Sequence, residues 1–108
     1  MSRGDGKIMR DLLVVLNAED RFIDTFELAR RVYQVQPDEE GMHWMNDAQL
    51  VAVRRALNRL AAQGKIVKRR GYHNGRAHWA NERFAKAEMQ RIADWDADFR
   101  ARYHIHGH

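Results

Sequence analysis

Lysine and arginine side chains, which pair with phosphate groups, are concentrated in one part of this chain. Residues 48–80 contain eight of them and no aspartate or glutamate. The other 11 of the 19 lysines and arginines lie among all 15 acidic residues of the chain. A block of one sign between acidic flanks creates a directed electric field, which solubility alone does not require. We therefore expect residues 48–80 to face a polyanion; charges scattered by chance over a solvated surface are the alternative.

Composition limits the other functions that the chain can have. Its 108 residues, 44% hydrophobic and 31% charged, have the length and balance of one ordinary globular domain. No apolar run approaches the roughly 20 residues of a membrane span, and the first residues show no signal-peptide pattern. The absence of cysteine excludes disulfides and thiolate metal sites. We therefore expect a cytoplasmic protein that does not bind a membrane.

Patterns typical of catalysis or metal binding are not found. The sequence has no nucleophile–base arrangement, no glycine-rich phosphate loop that opens a helix and no carboxylates paired for acid–base work. His43 and His78, each followed by tryptophan, are interpreted as packing residues or phosphate contacts. The chain ends with three alternating histidines, His104, His106 and His108, which could bind a metal ion. A mobile tail over residues 104–108 is the simpler interpretation. We expect no enzyme activity, no metal and no cofactor.

The elements that would position the basic segment begin with two helices. Apolar residues at helical spacing predict a first helix from Lys7 to about Ala18, after a disordered segment at residues 1–6. A very short strand at residues 21–23 precedes a second helix, which Asp24 and Glu27 would start as a capping box. Residues 34–45, which hold the only proline, predict a loop, with one helical turn as an option after Pro37.

A third helix forms the first half of the basic segment. Asn46 or Asp47 would cap its start, and Gly64 follows its predicted end at Gln63. Its apolar stripe consists of Leu50, Val53, Leu57 and Leu60. The opposite side carries two arginines among small residues, namely Ala48, Ala52, Arg55, Arg59 and Ala62. Such a face could approach another surface closely, with two long cationic side chains projecting from it.

A hairpin and a last helix complete the chain. Residues 65–70 and 76–80 predict two short strands, and the step from Asn74 to Gly75 is a typical hairpin signal. A five-residue loop would set Val67 beside Trp79, which gives the pair one apolar face. The last helix, over residues 82–103, is supported by acid-first pairs at i,i+4. Its apolar residues recur at alternating spacings of four and three, interrupted by Asp96: Ala85, Met89, Ile92, Phe99 and Tyr103.

The run VRRALNRLAAQGKIVKR, residues 53–69, resembles the third helix and the first wing strand of bacterial winged helix-turn-helix transcriptional regulators. The resemblance covers about residues 7–80 and depends on the order of the elements and on packing positions such as Val53, Leu57 and Gly64. It implies an α+β, mostly α fold in which three helices and a two-stranded wing bind DNA. The helix at residues 81–103 would be an addition to that domain.

The resemblance also implies roles for individual residues. In that family the third helix enters the DNA major groove, a role that falls here on Gln49, Ala52, Arg55, Asn58 and Arg59. The wing contacts the backbone or the minor groove, a role that falls on Lys68, Arg69, Arg70, His73 and Arg76. Such regulators usually bind two half-sites as dimers. We therefore assign the row on the last helix to a homodimer interface, with packing on its own domain as the alternative.

We thus expect sequence-specific binding to double-stranded DNA by a small, repressor-like regulator. A DNA-binding accessory protein of a plasmid or phage, acting in replication, partition or packaging, would carry the same motif. A winged helix that binds protein instead of DNA is the third alternative. The loop at residues 34–45 departs from the family, in which about three or four residues separate these helices. Either it is an insertion or the second helix extends into it. No effector can be named; any signal would act through this loop or the last helix.

Overall fold

The computed structural model describes residues 3–70 and 75–104. Its elements are α1 (Arg3–Ala18), β1 (Ile23–Asp24), α2 (Thr25–Val32), α3 (Asp47–Ala62), β2 (Ile66–Arg70), β3 (Ala77–Asn81) and α4 (Glu82–His104). The α+β, mostly helical class predicted from the sequence is confirmed. Residues 3–6, expected to be disordered, are helical because α1 starts at Arg3 rather than at Lys7. Likewise His104, which was assigned to the tail, ends α4, and residues 105–108 lie outside the described ranges.

One hydrophobic core lies between the first three helices and the sheet. Helices α1 and α3 contribute residues spaced three or four apart, and α2 contributes two adjacent residues with the half-buried Val32 one turn on. Trp79 and Ile66 close the core from the sheet, each 2% exposed. The fully buried helical members are Leu12, Leu16, Leu28, Ala29, Val53, Leu57 and Leu60. This burial orients α3, because its apolar stripe can face the core only if its arginine-bearing side faces outward.

Both ends of α3 are fixed by local signals. The side chain of Asn46 accepts a hydrogen bond from the Gln49 N–H at 2.8 Å, and the Gln49 side chain accepts one from the Asn46 N–H at 3.1 Å. This capping box satisfies two backbone donors at the helix start. At the other end Gly64 has a φ of +75°, a conformation that favours glycine and terminates the helix. The predicted cap and stop of α3 are therefore confirmed.

The start of α2 differs in part from the prediction. Asp24 caps the helix by accepting a hydrogen bond from the Phe26 N–H at 2.7 Å. Glu27 does not return the bond as a capping box requires. Its carboxylate instead pairs with Arg21 at 2.6 Å and with Arg31 at 2.8 Å. The pair with Arg21 ties the first turn of α2 to the segment that leaves α1, and the pair with Arg31 lies within α2.

The segment between α2 and α3 is an insertion loop, because α2 ends at Val32. No helical turn follows Pro37 in this loop, which is described in full. Asp38 organises the loop: its carboxylate accepts hydrogen bonds from the Trp44 indole at 2.7 Å and from the N–H groups of Met42 and Glu40. The hydrogen bond from Trp44 is the largest cause, and together these bonds hold the pKa of Asp38 below its ordinary value. Burial acts in the opposite sense but does not prevail.

The sheet has three antiparallel strands in the order β1-β3-β2, one more than the predicted two-stranded wing. Ile23 of β1 pairs with Trp79 of β3, so the short strand before α2 joins the hairpin. In the hairpin Lys68 lies opposite Trp79, and Val67 lies opposite Ala80. The predicted pairing of Val67 with Trp79 is therefore wrong by one residue.

The reason for the shift is that both sides of the hairpin base are covered. Side chains alternate between the two faces of a strand, and Trp79 faces the core with Ile66. Ala80 points to the opposite face and is also fully buried, as is Ala85 in the first turn of α4. Helix α4 packs against both β2 and β3. The assumption of a single apolar face, which selected the predicted register, does not hold at this end of the hairpin.

Helix α4 leaves the domain after its second turn. Phe84 packs edge-on against Phe22, with ring centroids 5.9 Å apart, and Ala85 is buried. From Met89 to Arg102 every residue except the half-buried Asp96 is exposed. The molecule is accordingly elongated, at 57 × 36 × 21 Å, with a radius of gyration of 17.7 Å against about 13 Å for a compact chain of this size. Within the described ranges no helix combines the length and apolar character needed to cross a membrane.

Candidate nucleic-acid interface

The outer face of α3 consists of Ala48, Ala52, Arg55, Arg59 and Ala62, as the sequence predicts. Arg55 and Arg59 are exposed and lie one helical turn apart, since α-helical residues advance by about 100° each. The alanines beside them are exposed or half-buried. Small neighbours let the helix backbone come close to a second surface, and both guanidinium groups then extend beyond it.

A groove separates α3 from the hairpin, and we call it the central groove. It has a volume of about 420 Å³ and lies between the first turn of α2, the middle of α3 and the sheet. Its floor and walls are formed by Asp24, Thr25, Phe26, Leu50, Arg54, Asn58, Lys68, Arg76, Ala77 and Trp79. Three cations, from α3, from β2 and from the residue just before β3, therefore line one concave surface. Asn58 also lines this groove, whereas the sequence grouped it with the outward-facing arginines.

The wall of the central groove is held by a chain of hydrogen bonds. The Trp79 indole donates to the Thr25 hydroxyl at 2.8 Å, and that hydroxyl donates to the Ala77 carbonyl at 3.0 Å. Above the indole, the Lys68 ammonium lies 5.5 Å from the ring centroid, within the range of a cation–π interaction. The start of α2, the sheet and one cation are thereby kept in fixed relation.

Asp24 is the one acid among the described residues that line the groove. Its carboxylate caps α2 and lies 4.0 Å from the Arg76 guanidinium and 3.9 Å from Nε2 of His78. The other ring nitrogen of His78, Nδ1, lies 2.9 Å from the Arg76 carbonyl oxygen. The negative charge of Asp24 is thus already engaged with local partners, and the groove keeps a net positive lining.

The basic residues of β2 point in two directions. Lys68 lines the groove, and Arg70, two residues on, donates to the Gly75 carbonyl at 3.3 Å near the hairpin tip. Arg69 alternates to the other face, where its guanidinium lies 4.0 Å from the Phe22 ring centroid. There its charge helps to lower the pKa of Glu88, for which the hydrogen bond from Arg91 is the larger cause.

The sequence assignments are therefore divided by the fold. Ala52, Arg55 and Arg59 share the outer face, and Asn58, Lys68 and Arg76 share the central groove. Arg69, which was assigned with the rest of the wing, faces α4 instead. Gln49 is half-buried, and its side-chain amide oxygen accepts a hydrogen bond from the Asn46 N–H in the α3 cap. His73 lies outside the described residues.

Arg54 is the basic residue of the central groove that was not predicted as a site residue. It lies directly before Arg55 and four residues before Asn58, and both of those residues were predicted to belong to the site. On a helix alone nothing separates Arg54 from an ordinary solvated arginine. Only the position of the hairpin shows that this side chain borders a concave surface.

An exposed apolar row follows the projecting part of α4. Its members, with their exposed fractions, are Met89 (64%), Ile92 (50%), Trp95 (64%) and Phe99 (43%). The Trp95 and Phe99 rings are stacked with centroids 5.3 Å apart. We call these four residues the α4 row. The predicted row used the four–three spacing and so took Asp96 in place of Trp95.

Two further residues were predicted for the dimer interface, Ala85 and Tyr103. Ala85 is fully buried within its own chain, so it has no surface left for a partner. The side chain of Tyr103 lies outside the part of the chain that the structure describes. The first turns of α4 therefore pack in cis, which was the alternative interpretation, and only the distal turns are open to a second molecule.

No protein-family model matches this chain, and no curated protein matches it. Among the described residues no three His, Cys, Asp or Glu side chains come together as metal ligands. What the protein does must therefore be inferred from its own surfaces.

Proposed function

We propose that this protein binds double-stranded DNA through α3 and the hairpin, and that it acts in the cytoplasm as a homodimeric transcriptional regulator, most simply a repressor. The observation that carries the proposal is the charge of this surface. Arg55 and Arg59 on the outer face, Lys68 and Arg70 on the hairpin and Arg54 between them are all exposed, with no acid from residue 48 to residue 80. DNA binding is dominated by such contacts with phosphates.

The order of the elements supports the same function. Helix, short strand, two helices and a hairpin follow each other as in the winged helix, and β1 pairs with the hairpin as a third strand. The DNA major groove, about 12 Å wide, admits an α-helix. With alanines beside them, the planar guanidinium groups of Arg55 and Arg59 could reach guanine O6 and N7.

The dimer is proposed from the projecting part of α4. The α4 row leaves four large apolar side chains exposed on the projecting part of the helix, and a contiguous exposed apolar surface of this kind marks an interaction site. Burying Trp95, which is 64% exposed, would remove about 150 Å² from water. A second copy supplies an identical row, as two-fold symmetric interfaces require. It also gives the protein two DNA-binding surfaces for the two half-sites of an operator.

Selection of bound fragments from random duplex DNA, followed by sequencing, tests the proposed function. We expect enrichment of a two-fold symmetric site with at least one guanine in each half-site. Affinity for the selected site should fall steeply with salt, by about 0.9 logarithmic units per phosphate contact and per tenfold change in salt. Arg55→Ala should cost about 1–3 kcal/mol on the selected site without a change in melting temperature. If no sequence is enriched and binding does not depend on salt, the proposal is wrong.

Sedimentation tests the dimer separately. Trp95→Ala should raise the dimer dissociation constant at least tenfold, because the loss of about 150 Å² of buried area at 25 cal/mol per Å² exceeds 1.4 kcal/mol. Val14→Ala, at a comparably exposed position on α1, is the matched control and should have no effect. Point substitution is preferable to removal of α4, which would also delete the buried Ala85. A wild-type chain that stays monomeric at micromolar concentration would refute the dimer and leave DNA binding intact.

A further inference from the structure

The central groove combines two features that call for a ligand with two parts. Its charged parts are Arg54 on α3, Lys68 on β2 and Arg76 just before β3. Its apolar parts are Phe26, which is 40% exposed, and the side chains of Leu50 and Ala77 beside the indole of Trp79. A bare inorganic anion would leave the apolar part uncovered. A purely apolar ligand would strip water from three cations without pairing them, which costs free energy.

Phosphate suits such a set of cations, because it presents several oxygens to positive charges that come from different directions. Arginine pairs with phosphate through two parallel hydrogen bonds, and lysine adds a compact positive charge. The first turn of α2 borders the same groove, and the positive end of its dipole acts in the same sense. Asp24, the acid of the lining, is held by its own cap and by Arg76 and His78. With three cations and one acid, the lining keeps two net positive charges.

We propose that the central groove is a binding site for a phosphate ester of a pentose, and we call this site the seat. The phosphate contacts Arg54, Lys68 and Arg76, and the sugar ring covers the apolar floor at Phe26 and Leu50. The volume of about 420 Å³ lies in the range of about 300–1,000 Å³ that small-molecule sites occupy. This inference rests on the proposed function where the ester is one unit of a DNA strand. A free nucleotide carries the same chemistry and would compete with DNA for the seat.

The seat gives two neighbouring arginines different tasks. Arg54 and Arg55 differ by about 100° around the helix axis, and only Arg54 lines the groove. Arg54 therefore holds the backbone and fixes the register of α3, whereas Arg55 extends from the outer face toward base edges. Phosphate contacts position a protein on DNA, and base contacts specify the sequence.

Two binding experiments on the full chain test the seat and distinguish the two sources of the ester. In the first, the protein is titrated with thymidine 5′-monophosphate and, as control, with thymidine, and the three indole N–H signals are followed by NMR. The Trp79 signal should shift saturably with the phosphate ester and not with thymidine. Trp44 and Trp95, which do not line the groove, serve as internal references. Arg54→Gln should weaken this binding, and Arg55→Gln should not.

In the second experiment, duplex DNA binding is measured against salt for the same two variants. Arg54→Gln should weaken specific and random duplexes by the same factor and lower the salt slope by about 0.9, the value for one phosphate contact. Arg55→Gln should instead reduce the preference for the selected site over random DNA by roughly fivefold or more. A shift of Trp79 by duplex DNA but not by the nucleotide would identify the DNA backbone as the sole source of the ester.

Each remaining outcome decides the inference. If wild-type protein binds DNA but Arg54→Gln leaves the salt slope unchanged and Trp79 does not respond, the seat is refuted and the proposed function stands. If the nucleotide shifts Trp79 while no duplex binds, the proposed function is refuted and the seat stands. If neither ligand binds, both are refuted.

Discussion

Replacement of Asn81 would remove three hydrogen bonds that join distant parts of the chain. Its side chain is 2% exposed at the end of β3. The amide nitrogen donates to the Leu16 carbonyl at 2.8 Å and to the Asp20 carboxylate at 3.0 Å. The amide oxygen accepts from the Phe84 N–H at 2.7 Å, which caps the first turn of α4. One side chain thus connects the end of α1, the hairpin and α4.

The expected cost follows from these three bonds. Loss of a helix cap destabilises by about 1 kcal/mol, and each of the other two bonds contributes roughly 1 kcal/mol. The buried Leu16 carbonyl would keep no partner, which adds to the cost. We therefore expect Asn81→Ala to lower the free energy of unfolding by about 2–4 kcal/mol. At roughly 4–8 °C per kcal/mol for a chain of this size, the melting temperature should fall by about 8–32 °C.

Two conservative variants separate the cap from the donors. Asn81→Ser keeps an acceptor for the Phe84 N–H but has no amide to donate. It loses two of the three bonds, so its cost should be about two-thirds that of Asn81→Ala. Asn81→Asp also keeps the cap but sets a second carboxylate against Asp20. It should be less stable than Asn81→Ser at pH 7, and this gap should narrow toward about pH 4, where carboxylates become protonated.

The wild-type contribution of Asp20 also depends on pH. The hydrogen bond from Asn81, followed by that from Arg83, holds the pKa of Asp20 below its ordinary value. A depressed folded-state pKa stabilises the fold above the unfolded-state pKa, and the effect is lost as the pH falls through the folded value. The difference between wild type and Asn81→Ala should therefore shrink in acid. Denaturant unfolding followed by circular dichroism measures all three variants. A cost below 1 kcal/mol for Asn81→Ala, or equal costs for all three, would refute this account.

Three further predictions follow from local geometry. Trp44→Phe removes the indole donor to Asp38, so NMR titration should show the pKa of Asp38 rising toward its ordinary value; an unchanged pKa would contradict the hydrogen bond. Gly64→Ala should cost about 1–2 kcal/mol in thermal unfolding because φ is +75°, whereas Gly6→Ala inside α1 should stabilise by up to about 1 kcal/mol. Arg69→Ala should leave the salt slope of DNA binding unchanged, since this side chain stacks on the α4 side of the hairpin; a slope lowered by about 0.9 would show that it contacts a phosphate.

The sequence alone determined the elements whose signals are local. Helical spacing located the helices, Asn46 and Gly64 marked the ends of α3, and the Asn74–Gly75 step indicated the hairpin. Such signals act within a few residues, between a side chain and the nearest backbone groups. The outward face of α3 was equally predictable, because the apolar stripe on one side of a helix fixes the direction of the other.

Only the tertiary structure decided which side chains meet across elements. The hairpin register depended on α4, which buries Ala80 from the side that the sequence left open. The central groove brings together Arg54 of α3, Lys68 of β2 and Arg76 just before β3. The sequence shows where the charges lie along the chain, but not which of them meet around a concave surface. Burial and concavity depend on every element packed around a residue, so no local pattern contains them.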